Sequence, residues 1–184
     1  MQPFTIDWFF TLIILTLPAY ATNSSALYFD PGRKGGPTTP SDFGIKFIDG
    51  RPLLGSKSVE GAISSVLFGV LTGALICWLN LIPLGFTFDE WLEVSFFQAV
   101  GMHAGDRIGS FFKRRMDIKS GEPFAYMDQL SFIVVALAFA TAVQPRIAFS
   151  MGIEGYLAII FLTYFVHKGS NRFANAVGLK GVPW

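Results

Sequence analysis

Five stretches of this chain, roughly residues 4–22, 60–82, 90–112, 125–144 and 148–167, are each apolar enough and long enough to cross about 30 Å of hydrocarbon at about 1.5 Å of helical rise per residue. Hydrophobic residues make up 52% of the 184, more than a typical soluble domain carries. The pattern predicts an all-α integral membrane protein: a single membrane-embedded catalytic domain over residues 1–184, with about five transmembrane helices joined by short loops and one long first loop. The first stretch ends in Ala19-Tyr20-Ala21, which has the look of a signal-peptide cleavage site. A signal peptide needs a positive start, however, and the only early charge is Asp7, so a retained first span is expected. The net charge of +1 leaves no basic surface for nucleic acid, and Cys77, the single cysteine, can build neither a disulfide framework nor a cysteine metal site.

Orientation follows from where Lys and Arg fall. The first loop, Asn23 to about Lys57, holds Arg33, Lys34, Lys46, Arg51 and Lys57. The third holds Lys113, Arg114, Arg115 and Lys119, and the tail holds Lys168, Arg172 and Lys180. With five spans all three lie on one side, facing only Arg146 and the uncharged turn Pro83 to Phe88 on the other. The expected topology is multi-pass in the cell membrane, N-terminus outside and C-terminus cytoplasmic, with the long first loop in the cytoplasm.

The third span carries Glu93, Gln98, His103, Asp106 and Arg107, each costly in lipid, so these side chains must face protein or water. At about 100° per residue, His103, Asp106, Ser110, Lys113 and Arg114 share one face running toward the cytoplasm, along which an anionic group could be held. The plainer alternative is that Lys113, Arg114 and Arg115 only stop the helix and fix topology. Asp128 opens the fourth span about one turn inside its start, while Asp106 lies about a turn and a half inside the end of the third, so the two carboxylates are expected at similar depth. Paired carboxylates beside basic residues suit Mg²⁺ held by protein oxygens and completed by substrate phosphates; structural ion pairs are the alternative.

In the first loop, Asp49-Gly50-Arg51-Pro52-Leu53-Leu54-Gly55-Ser56-Lys57-Ser58-Val59-Glu60-Gly61 places glycines, an ammonium and a hydroxyl just ahead of a helix, a combination that can meet phosphates. It lacks the Walker A spacing. A capped loop with Ser58 as N-cap accounts for the same residues.

Taken together these stretches resemble the CDP-archaeol synthase family, relatives of the bacterial CDP-diacylglycerol synthases. The resemblance rests on the stretch Asp49-Gly50-Arg51-Pro52-Leu53-Leu54-Gly55-Ser56-Lys57-Ser58-Val59-Glu60-Gly61, on Gly105-Asp106 followed by Ser110 and Lys113-Arg114, and on Pro123 followed by Asp128-Gln129-Leu130, and it covers most of the chain after about residue 44. One position departs: relatives commonly carry Asp where this chain has Ser131, and a hydroxyl binds Mg²⁺ more weakly than a carboxylate. The resemblance implies a Mg²⁺-dependent cytidylyltransferase that moves CMP from CTP to an isoprenoid glycerol phosphate lipid, 2,3-di-O-geranylgeranylglyceryl phosphate, giving CDP-archaeol and pyrophosphate. It implies catalytic roles for Lys113, Arg114, Asp106 and Asp128, metal ligation by Asp128 and Asp106, and substrate binding by Lys57, Ser58, Gly61, Gly105, Ser110 and Arg51. A homodimer is compatible with it. The competing readings are another CTP-dependent lipid enzyme, such as a polyprenol kinase, or a small ion-coupled transporter using Asp106 and Glu154. A CDP-alcohol phosphotransferase is disfavoured because its Asp-rich signature is absent.

Overall fold

The structure, a computed structural model, describes all residues except 1, 30, 32–35, 55–56, 120–121, 125, 179–180 and 182–184. Arg33, Lys34 and Lys180 of the loop charges, and Gly55-Ser56 of the first-loop motif, lie outside the described residues.

Five α-helices follow in order: α1 Ile6–Phe29, α2 Val59–Trp78, α3 Phe88–Arg115, α4 Met127–Val143 and α5 Arg146–Ala176, with a 3-10 turn Pro83–Gly85 before α3. Each expected segment is a helix, with shifted ends. α3 starts where the sequence signals it: Thr87 accepts from Glu90 N at 3.4 Å while Glu90 Oε2 accepts from Thr87 N at 2.8 Å, a reciprocal cap. α1 and α5 outrun their apolar stretches because polar residues that follow, such as Asn23 and Asn171, continue the helical turn. α5 is broken at Gly152, whose φ of 61° and ψ of 179° only glycine adopts readily.

α2 and α5 are long and apolar enough on their own to cross a membrane; α4 is equally apolar but has 17 residues. The bundle is apolar outside as well as inside. Leu71 on α2, Phe149 and Phe161 on α5 and Phe10 on α1 are more than half exposed. A soluble protein does not show so much contiguous apolar surface.

α3 is the central helix, packed against α1, α2 and α4. Gln98 of α3 is fully buried and donates to Leu15 O at 2.7 Å, and Trp91 Nε1 donates to Gly73 O at 3.1 Å, whereas Glu93 stays exposed near the start of the helix. Against α4 the helix presents Gly101, Gly105 and Gly109, one turn apart on a single face. A Cβ on Gly101 would lie 2.9 Å from Ala136 Cα; one on Gly105 would lie 2.8 Å from Phe132 Cα and closer still to Ser131 O. The two backbones therefore touch, the packing that small residues permit between helices in lipid.

Candidate active site

The close α3–α4 approach brings two acidic residues and their basic partners to one end of the bundle. Lys57, immediately before α2, pairs with Asp106 on α3, both about one-third exposed. Ser58 caps α2, its Oγ accepting from Gly61 N at 3.1 Å, so the start of α2 holds Lys57 in place. Gly61 is buried in the first turn of α2. Ser110 Oγ donates back to Asp106 O at 2.9 Å. Two turns beyond Asp106, Lys113 is largely buried and reaches both oxygens of Asp128 at 3.0 Å, while also donating to Glu122 O at 2.6 Å. Asp128 Oδ2 in turn accepts from Phe124 N at 2.8 Å, which ties the α3–α4 loop to the carboxylate.

The carboxylates are staggered rather than level. α3 runs to Arg115, so Asp106 sits nine residues inside its end, while Asp128 is the second residue of α4 and stands opposite Lys113. Asp106 and Lys113 are seven residues apart, roughly 10 Å along the helix. The expectation of equal depth assumed a shorter third helix.

Arg51 lies elsewhere than beside Lys57. Its guanidinium donates to the α3 carbonyls of Arg114 at 3.2 Å and Arg115 at 2.9 Å, and pairs with Asp117 at 2.8 Å, so it caps the C-terminus of α3. Arg115 answers from the helix: it pairs with Asp49 at 3.3 Å, donates to Pro52 O at 2.7 Å, and stands 4.6 Å and 4.9 Å from the centroids of Phe47 and Phe111. Asp49, Asp117 and Arg115 thus bind the first loop to α3, a role that no local spacing advertises. Arg114 differs from all of these. Its guanidinium has no ion pair among the described residues, while its Nε, like Nε and Nη1 of Arg115, is buried without a hydrogen-bond partner.

Ser131, the departing position, lies at the helix crossing, its Oγ 3.0 Å from where a Cβ on Gly109 would be, so α4 turns this hydroxyl onto the glycine stripe of α3. His103 is buried one turn deeper than Asp106 and shares a 2.7 Å hydrogen bond with Ser65 Oγ of α2. Arg107 Nη2 donates to Ser41 Oγ at 3.0 Å, a second tie between α3 and the first loop. Among the described residues no three of His, Cys, Asp and Glu gather around a point.

The family model for CarS-like CDP-archaeol synthases matches residues 5–184, taking in every residue of this site. The chain belongs to the CDP-archaeol synthase family. The CDP-archaeol synthase of Methanocaldococcus jannaschii is 37% identical over 175 residues, covering 91% of this chain and 93% of that relative. That of Saccharolobus solfataricus is 34% identical over 173 residues, covering 94% of both. A solved structure, described as an intramembrane enzyme for archaeal membrane lipids biosynthesis, superposes with a TM-score of 0.67 at 32% identity over 86% of this chain and 91% of that one. The family match therefore runs along nearly the whole length, and the fold pairs the motif residues Lys57 with Asp106 and Lys113 with Asp128.

Proposed function

We propose that this chain transfers CMP from CTP to an isoprenoid glycerol phosphate, forming CDP-archaeol and pyrophosphate, at the charged end of the bundle. The observation that carries the reading is the two ion pairs Lys57–Asp106 and Lys113–Asp128, with Arg114 next to Lys113 in the last turn of α3, at one end of a bundle whose outer surface is apolar. Such a place meets a water-borne triphosphate and a lipid phosphate at once.

In the reaction a phosphate oxygen of the lipid forms a bond to the α-phosphorus of CTP, and the bond from that phosphorus to the bridging oxygen of the β-phosphate breaks. Pyrophosphate leaves with the electron pair. The nucleophile comes with the substrate, so the protein's work is orientation and charge compensation. Arg114, a fork of donors with no acidic partner among the described residues, is suited to clasp the phosphates. Lys57 and Lys113 neutralise further charge as point cations, held by Asp106 and Asp128 until the anion arrives.

The donor set fits Mg²⁺ of the kind that rests on one or two carboxylates and on substrate phosphates rather than in an all-protein cage. Standing roughly 10 Å apart along α3, Asp128 and Asp106 would each hold a separate ion rather than share one, and when bound such an ion supplies charge stabilisation at the reacting phosphates. In the cell membrane all five helices cross the bilayer, with the N-terminus outside and the long first loop, the α3–α4 loop and the C-terminus in the cytoplasm, as the placement of Lys and Arg supports.

Purified protein in vesicles containing the lipid phosphate, given Mg²⁺ and CTP labelled in either the α- or the γ-phosphate, decides the chemistry. Cytidylyl transfer places α-label in the lipid and γ-label in pyrophosphate. Label from the γ-position in the lipid would make the chain a kinase, and no lipid product under either label would overturn the enzyme reading.

A further inference from the structure

The first loop contains a short hairpin that the chemistry above does not use. Lys46 and Pro52 form an antiparallel bridge, Phe47 N donates to Arg51 O at 2.9 Å, and Gly50 N donates to Phe47 O at 2.9 Å, closing a turn over 47–50. Its surface is apolar where a solvated loop should be polar. Ile48 at the turn is 96% exposed, Phe43 72% and Ile45 58%, and Lys46 beside them is exposed too.

The hairpin has a defined height on the bundle. Arg51 holds the last carbonyls of α3, and Arg115 holds Asp49 and Pro52, so the turn is fastened level with the final turn of α3. That turn carries Lys113, Arg114 and Arg115, residues that favour the headgroup zone. Ile45 and Phe47 share a strand face by the two-residue period. Phe47 packs on Phe111 at 5.4 Å, and Phe111 on Phe112 at 5.7 Å. Phe112 belongs with Ile108 and Met116 to an exposed apolar stripe, four residues apart along α3, that reaches the helix end. The apolar face of the hairpin therefore continues the outward apolar face of α3 rather than standing alone.

We propose that this hairpin is a membrane-surface anchor, with Phe43, Ile45 and Ile48 seated at the boundary of headgroups and acyl chains and Lys46 against anionic headgroups. The inference rests on the membrane-embedded reading given above. Side chains of this kind settle about 5–10 Å into that boundary, and a lysine there is drawn to anionic lipid. The consequence for function is positional. The hairpin ends five residues before Lys57 in the chain, so anchoring it limits how far the first-loop side of the site can lift from the leaflet from which the lipid phosphate must enter.

The test uses the full chain, with Cys77 replaced by alanine, in vesicles of phosphatidylcholine and phosphatidylglycerol. An environment-sensitive dye is attached in turn to Ile48→Cys, Phe43→Cys, Lys119→Cys and Leu71→Cys. Ile48 has almost no packing to lose, and Phe43 is a second, independent site. The dyes at 48 and 43 should emit to the blue of the dye at 119, should be quenched by lipid spin-labelled near the headgroup, and should be protected from iodide. Iodide quenching at 48 and 43 equal to that at 119 overturns the anchor. So does protection that appears only as the protein-to-lipid ratio rises, which would assign the face to a second copy. The dye at Leu71, mid-way along α2, reports separately on the membrane reading: quenching there by spin labels deep in the acyl chains upholds it whatever the hairpin does.

Discussion

Replacing Gly105 by alanine puts a methyl group where the backbone of α4 already lies. Its Cβ would be 2.8 Å from Phe132 Cα and nearer to Ser131 O, whereas ordinary contacts begin near 3.4 Å, so the helices must part by at least roughly 0.6 Å. The obstacle is backbone on both sides, and no side chain can swing away to relieve it. Overpacking of this kind costs about 1–3 kcal/mol. For a chain of this size that is a fall of roughly 2–12 °C in unfolding temperature. Activity should fall further than stability suggests, because Asp128 lies one turn before Ser131 and moves with α4, away from Lys113 on α3. With about a hundredfold loss for a misplacement of roughly 1 Å, turnover of CTP into CDP-lipid should drop by about tenfold. Gly169→Ala is the control: nothing lies within 4 Å of the added atom, so turnover should match the parent and stability should hold or rise by up to about 1 kcal/mol, the ordinary gain of alanine over glycine inside a helix. Thermal unfolding in detergent and initial rates in vesicles measure both quantities. A Gly105→Ala protein as stable and as fast as the parent would refute the claim that the α3–α4 contact sets the site.

Asp128→Asn keeps an oxygen for Phe124 N–H but removes the charge facing Lys113, so the fold should survive while turnover falls by roughly a hundredfold, with a changed Mg²⁺ dependence in a titration of initial rates. Arg114→Lys preserves the positive charge, so an anchoring role alone leaves kcat/KM intact; a phosphate clasp loses about 1–3 kcal/mol, roughly ten- to a hundredfold, in the same assay. Arg51→Lys should act oppositely, weakening the cap on α3 and lowering the unfolding temperature by a few degrees while the KM for CTP changes little. For topology, a membrane-impermeant thiol reagent added outside should label a cysteine at Gly85 and spare one at Lys119 in a Cys77-free protein; the opposite pattern reverses the orientation.

Much of this protein is decided within short windows of its sequence. The apolar stretches determine five helices, because a helix satisfies its own backbone and its faces follow from local spacing. The caps at Ser58 and Thr87 are equally local, and the three charged motifs are enough to place the chain in its family. Helix ends were less legible: α3 continues through Lys113-Arg114-Arg115 to the end of its basic turn, and this moved Asp106 deeper than Asp128. The partnerships were not legible at all. Lys57 meets Asp106 across 49 positions, Lys113 meets Asp128 across 15, and Arg51 caps a helix 63 positions away. Gly105 reads in the sequence as part of a binding motif, yet its contact is with the backbone of α4, which only the crossing of two helices creates. Spacing along a chain determines which side chains share a face; which face meets which depends on how closely the helices pack, and here three glycines on α3 decide that distance and with it where the charges stand.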